Sequence, residues 1–214
     1  MNTRIVDARR EHAPFLAWNL QTASRSHLER GMFDIFVDGS DAECLQFLGA
    51  LPLTEVRHWG SVENFIVVES EGECLGALCG YFAEEQDTPI LAKGAVEVAV
   101  QLGWSHDRLI AAWRRISASS LVSIDQVPGA WVVESVAVLP AFRRMGLVSE
   151  MLGAILDRGR QRGATCAEVS VLIGNDPEQR AYEKAGFAVV GEARDSEYEA
   201  TFTSPGVRLL RRSL

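Results

Sequence analysis

One segment constrains this chain more than any other: Val136-Ala137-Val138-Leu139-Pro140-Ala141-Phe142-Arg143-Arg144-Met145-Gly146-Leu147-Val148-Ser149-Glu150-Met151-Leu152. A β-branched apolar run stops at a proline, a short basic loop with a single glycine follows, and an amphipathic pattern starts at once. A strand, loop and helix in direct succession aim unpaired backbone N–H groups of the loop and first helical turn at one point, with the positive end of the helix dipole behind them. A diphosphate fits such a turn. Gly146 has no side chain to keep a ligand from the backbone, and Arg143 and Arg144 can add charge-assisted contacts to phosphate oxygens. The same letters also describe a plain strand-to-helix connection with exposed arginines, and the segment alone leaves both readings open.

The flanking sequence predicts an α/β fold. A short strand is expected over 3–7, a helix over 11–26 carrying Phe15, Leu16, Trp18 and Leu20, and a second helix over 41–51 with Cys44, Leu45, Phe47 and Leu48 on one side. Phe65 to Glu69 and Cys74 to Phe82, joined at Glu71 and Gly72, read as a hairpin. Residues 84–128 have a different texture, with helical patterns over 95–102 and 106–119, and read as an insertion between the third and fourth strands. Strand, helix, strand and helix then follow over 131–139, 148–162, 167–173 and 177–185, and a hairpin is expected over 188–214. The whole reads as a single domain of 214 residues, long enough to bury a core without metal or disulfide staples.

Composition narrows the partners. With 21 basic and 29 acidic residues the formal charge is −8, which argues against sequence-independent binding to nucleic acid or to an anionic membrane and leans toward a cationic substrate. No apolar run of about 18 residues is present, and the first residues lack the apolar stretch of a secretory signal, so a cytoplasmic location is expected. Cys44, Cys74, Cys79 and Cys166 are scattered through apolar surroundings and read as small buried hydrophobes. His12, His27, His58 and His106 stand apart from one another and read as surface or packing residues. No metal site is expected.

A second motif lies at Asn175-Asp176-Pro177-Glu178-Gln179-Arg180-Ala181-Tyr182-Glu183-Lys184-Ala185-Gly186-Phe187. Asn175 or Asp176 suits a helix cap, Pro177 its first turn and Gly186 its left-handed exit. These letters closely resemble motif B of the GNAT superfamily of N-acetyltransferases, N-x-x-x-x-x-A-Y-E-K-x-G-F. The first segment is similar to the family's motif A, Q/R-x-x-G-x-G/A, through Arg143 and Gly146, with Val148 where glycine or alanine is usual. The resemblance covers residues 131–190 and implies a central mixed sheet of six to seven strands flanked by helices. It implies acetyl-CoA as co-substrate, with the pantetheine arm between the strands of Val136 and Val171, held by backbone groups of Val136 and Val138. The cofactor-binding residues it implies are Val136, Ala137, Val138, Arg143 and Arg144, then Met145, Gly146, Leu147, Val148 and Ser149, with Asn175 and Tyr182 from the second motif. Tyr182 matches the tyrosine that in this family often protonates the departing thiolate; otherwise it is an aromatic packing its helix on the sheet.

An ammonium acceptor must lose a proton before attacking a thioester. Glu134 is the candidate base, since it interrupts an apolar strand and shares side-chain parity with Val132, Val136 and Val138, where partial desolvation would raise its pKa. The alternative is a solvated or arginine-paired carboxylate at the open end of the sheet. Some family members carry a glutamate on the fifth strand where this chain has Ser170, which can orient a water but is no strong base. The insertion, with Trp104 and Trp113, is expected to shape the acceptor pocket or a dimer contact, unless the tryptophans merely fill space against the sheet. Acetyl transfer to a small-molecule primary amine is the expected activity. A non-catalytic acyl-CoA sensor and a protein lysine or amino-terminal acetyltransferase remain the alternatives.

Overall fold

A computed structural model describes residues 2–86 and 88–214; residue 1, and residue 87 of the expected insertion, lie outside it. The frame is a seven-stranded sheet in the order β1-β2-β3-β4-β5-β7-β6. Its strands are β1 (Arg4–Asp7), β2 (Phe65–Ser70), β3 (Glu73–Phe82), β4 (Ala130–Val138), β5 (Cys166–Leu172), β6 (Ala188–Arg194) and β7 (Gly206–Ser213). Neighbouring strands run antiparallel except β4 and β5, which are parallel. This is the mixed sheet flanked by helices that the resemblance implies.

Each face of the sheet buries its own core. On one side, α1 (Ala13–Arg25) carries Pro14 in its first turn and sets Leu16 and Leu20, four apart, against the sheet. Asn19 Nδ2 donates to the Ala77 carbonyl at 2.9 Å, tying α1 to β3. Beside it lie α2 (Met32–Val37) and α3 (Asp41–Ala50), the latter capped by Ser40, whose hydroxyl accepts from the Glu43 N–H. Arg25 links α1 to Asp34 of α2 at 2.7 Å and to Asp41 of α3. On the opposite side, α7 (Leu147–Gln161) lays Leu147, Met151, Leu152, Ile155 and Leu156 over β2, β3 and β4. Trp131 is fully buried beneath it. Room for the indole comes from two glycines: a Cβ on Gly80 would lie 2.5 Å from Trp131 Nε1, and one on Gly159 would lie 2.7 Å from the ring.

The centre of the sheet is irregular. Cys79 pairs with Glu134 and Ala77 with Ala137, so two steps along β3 match three along β4. The extra residue is a β-bulge, with Ser135 at φ 56°. It corrects the expected parity. Val132 and Glu134 share the α1 face, but the extra residue resets the alternation and puts Val136 and Val138 on the α7 face. β4 and β5 pair only over Ala130–Cys166, Trp131–Ala167 and Val132–Glu168 before they part.

Between β3 and β4 lie α4 (Ala83–Gln86), α5 (Thr88–Gln101), α6 (His106–Arg115) and a 3-10 turn over Ser117–Val122. α5 starts well before the expected residue 95, because Pro89 in its first turn is compatible with a helix start. α8 is Asp176–Lys184, and α9 (Ser196–Phe202) occupies the loop of the terminal hairpin, capped by Asp195. Among the described residues no helix is long and apolar enough to cross a membrane.

The Trp131 seat makes a stability prediction. Gly159→Ala should gain up to about 1 kcal/mol of helix propensity but force the indole aside, which costs roughly 1–3 kcal/mol. A urea midpoint lowered at unchanged m-value is the expected result; a raised midpoint would show that the core yields at no cost.

Candidate active site

The turn at the start of α7 has the predicted form. Arg144 and Gly146 both adopt left-handed backbone, with φ 62° and 88°. A Cβ on Gly146 would meet nothing within 4 Å, so the glycine answers a backbone requirement and leaves open space before the helix. The first intrahelical bond runs from Glu150 N–H to the Gly146 carbonyl, and no side chain caps the helix. Arg143, Arg144, Met145, Gly146 and Ser149 are exposed, Leu147 is buried, and Val148 packs on the α7 core. Valine at that position therefore directs its bulk inward. Arg143 Nε donates to the Val138 carbonyl at 3.3 Å, drawing its guanidinium to the end of β4.

Where β4 and β5 part, a cleft of about 610 Å³ opens. Glu134, Ser135 and Val136 enter it from β4, Ser170 from β5, and Glu178 and Tyr182 from α8. Glu178, one turn before Tyr182 and on the same helix face, was not singled out from the sequence. Its signal was the four-residue spacing in the second motif. Tyr182 is buried, and its hydroxyl donates to Glu178 Oε1 at 3.3 Å. Asn175 accepts from the Glu178 N–H and donates from Nδ2 to Ser26 Oγ and Glu178 Oε2, both at 2.6 Å. Expected among the cofactor contacts, Asn175 thus spends its side chain on orienting Glu178. Ser26, in the left-handed residue that ends α1, joins the same network at 3.4 Å from Glu178 Oε2.

Electrostatics set these groups apart. Burial first, and then repulsion from Glu178, push the Glu134 carboxyl up to about 7 against the opposing hydrogen bond from the Ser135 N–H. Burial likewise pushes Glu178 up to about 7 against hydrogen bonds from Tyr182, Ser26 and Asn175. Tyr182 is raised well above 10, first by burial and then by the two carboxylates, so its phenol keeps its proton. The cleft thus holds a firmly protonated phenol beside two carboxyls that exchange protons near neutrality. At the fork of β4 and β5, the buried Glu168 is paired with Arg211 of β7 at 2.6 Å.

Other candidate groups are committed elsewhere. His12, Glu69 and Cys74 bring their ligand atoms within 4.8 Å of one another. However, His12 Nδ1 accepts the Arg9 N–H, its Nε2 faces Glu69 at 3.0 Å, and Glu69 also pairs with Arg4 at 3.0 Å, so two of the three groups are committed to a hydrogen-bonded network. His58 is fully buried between Thr54 Oγ1 and the Gly60 N–H, and burial pushes it down to about 4. All four cysteines are free, and burial raises each thiol, Cys44 to about 12. Of the two tryptophans of the insertion, Trp104 stacks on Phe36 and lies under Arg108, while Trp113 meets Phe36 edge-on.

The family model described as Acetyltransferase (GNAT) family matches residues 36–187. No curated protein matches the chain by sequence. Among solved structures, one described as an acetyltransferase is 20% identical, with TM-score 0.72 and 98% of each chain covered. An N-acetyltransferase from Staphylococcus aureus Mu50 is 15% identical, with TM-score 0.69, covering 97% of this chain and 99% of that one. N-acetylglutamate synthase from Neisseria gonorrhoeae, complexed with coenzyme A and N-acetyl-glutamate, is 11% identical with TM-score 0.52; the match spans all of this chain and 35% of that one. At such identities the likeness to these structures is one of fold.

The raised carboxyls predict a pH-dependent stability. Glu134 binds its proton more tightly folded than at its ordinary 4.5, so its contribution is full below about pH 4.5 and is lost as pH rises through about 7. His58, pushed down to about 4, works in the opposite sense between its two values, so the readout is a difference. The urea midpoint of Glu134→Gln relative to the unchanged protein should be more favourable at pH 8 than at pH 5. An equal difference at both would place the Glu134 carboxylate in water.

Proposed function

The chain belongs to the GNAT acetyltransferase family, and from that premise we propose that it transfers the acetyl group of acetyl-CoA to a small primary amine, both substrates being bound together. The observation that carries this reading is the meeting of Tyr182, Glu178 and Glu134 in one cleft at the fork of β4 and β5. The turn at Gly146 supports acetyl-CoA as the donor: its open N–H groups and exposed arginines suit the diphosphate, and the unpaired inner edges of β4 and β5 suit the amide-bearing arm. Backbone groups of Val136 and Val138 would hold that arm.

The chain's own residues supply the proton transfers. Glu134, with its pKa near 7, takes a proton from the ammonium directly or through a water, which frees the nitrogen lone pair for attack on the thioester carbon. Tyr182 delivers its proton to the sulfur as the carbon–sulfur bond breaks. A phenol raised so far recovers a proton readily, and Glu178 on its hydroxyl is the nearest relay. The two carboxylates also attract a cationic acceptor. A cleft walled by the insertion suits a small molecule better than a protein chain. The absence of a membrane-crossing helix among the described residues is compatible with a cytoplasmic location.

Release of free coenzyme A thiol from acetyl-CoA and an amine panel tests the reading. Tyr182→Phe should lower kcat by about 10²–10⁴-fold. Glu134→Gln should lower kcat/KM about 10²-fold and abolish its rise through pH 7. Both variants should keep the thermal stabilisation by acetyl-CoA, about 2.7 kcal/mol at a hundred times Kd. A Tyr182→Phe enzyme of undiminished rate would remove the acid from the mechanism, and a stabilised protein that released no thiol would be a sensor.

A further inference from the structure

We propose that the acceptor amine carries an uncharged aromatic or branched aliphatic group, bound in a second compartment that borders the catalytic cleft; this rests on the acetyl-transfer reading above. The compartment measures about 260 Å³. Its walls are Phe33 and Phe36 of α2, Phe47 of α3, Leu91 and Ala95 of α5, and Trp113 of α6. Met32, Phe33, Thr88, Ser119 and Ser120 border both the compartment and the cleft that holds Glu134 and Tyr182, so the two adjoin across these side chains.

Size, surface chemistry and charge agree on the occupant. An apolar cavity of about 150 Å³ accepts a benzene ring, so this one has room for a phenyl or branched alkyl group with its linking carbons. Phe36 meets Trp113 at 4.8 Å and Phe47 at 5.6 Å between ring centroids, offering ring edges and faces to an aromatic guest. None of the described residues lining it is charged. A second ammonium would lose its water there without a counter-ion, whereas the first meets Glu134 and Glu178 in the cleft. Polarity is thus arranged along one axis, with the amine at the carboxylates and the apolar body between α2 and the insertion. Half of these walls come from the insertion, which gives that segment a role in acceptor choice.

The test is a panel on the unmodified enzyme with acetyl-CoA, reading thiol release. 2-Phenylethylamine and 3-methylbutylamine should exceed ethanolamine and 1,4-diaminobutane in kcat/KM by at least about tenfold. Ala92→Phe, from the half-buried outer wall on α5, should shrink the ratio of 2-phenylethylamine to ethanolamine about tenfold; if that variant does not fold, the panel decides alone. Equal or better turnover of the polar amines overturns the inference and leaves acetyl transfer standing. A preference for hexanoyl-CoA over acetyl-CoA with ethanolamine overturns it too, by giving the compartment to the donor. No thiol release with any amine overturns both.

Discussion

The parting of β4 from β5 is the constraint on which the rest of the molecule depends. Two parallel strands at the middle of a sheet share only the pairs from Ala130–Cys166 to Val132–Glu168. Beyond them each strand presents backbone donors and acceptors to the gap, and buried backbone groups need partners. A sheet can tolerate such a fork only if both arms are held from outside. β3 and α7 hold β4, while β7 pairs with β5 along its full length. The inversion that puts β7 between β5 and β6 therefore gives the β5 arm of the fork a hydrogen-bonded partner along its whole length.

The bulge at Ser135 acts on the same place. By putting Val136 and Val138 under α7 while Glu134 keeps the α1 face that it shares with Val132, it separates an ionisable side chain from the apolar positions that follow it. Without it, strict alternation would carry the side chains beyond Ser135 to the opposite faces. The result works against stability, since two half-buried carboxyls and a buried phenol lose much of their water within one cleft. The close-packed side of the sheet, with Trp131 locked between Gly80 and Gly159, offsets that burden at a distance from the chemistry.

Much of this was legible in the letters. The strand, turn and helix around Gly146 and the capped helix from Asn175 to Gly186 are set by local rules, and they fold as their sequence implies. The second motif points to Tyr182, and the structure sets its side chain at the cleft. Other features depend on tertiary placement. α2 is barely one and a half turns and is held by Asp34, whose carboxylate accepts from Gly31, Gln21 and Arg25, so no periodicity announces it. α9 hides in a hairpin loop. The parity break at Ser135 needs the register of β3, and the role of Glu178 needs Asn175 and Ser26, which lie 149 residues apart along the chain.

The cysteines carry a practical consequence. Cys44 and Cys79 are buried with thiols shifted far toward the protonated form, and the half-buried Cys74 and Cys166 are shifted the same way. Because the thiolate is the reactive species, the folded chain is a poor target for disulfide reagents at neutral pH. A colorimetric reagent of that kind meets a quiet protein background in any assay of thiol release, and a growing protein signal would itself report unfolding.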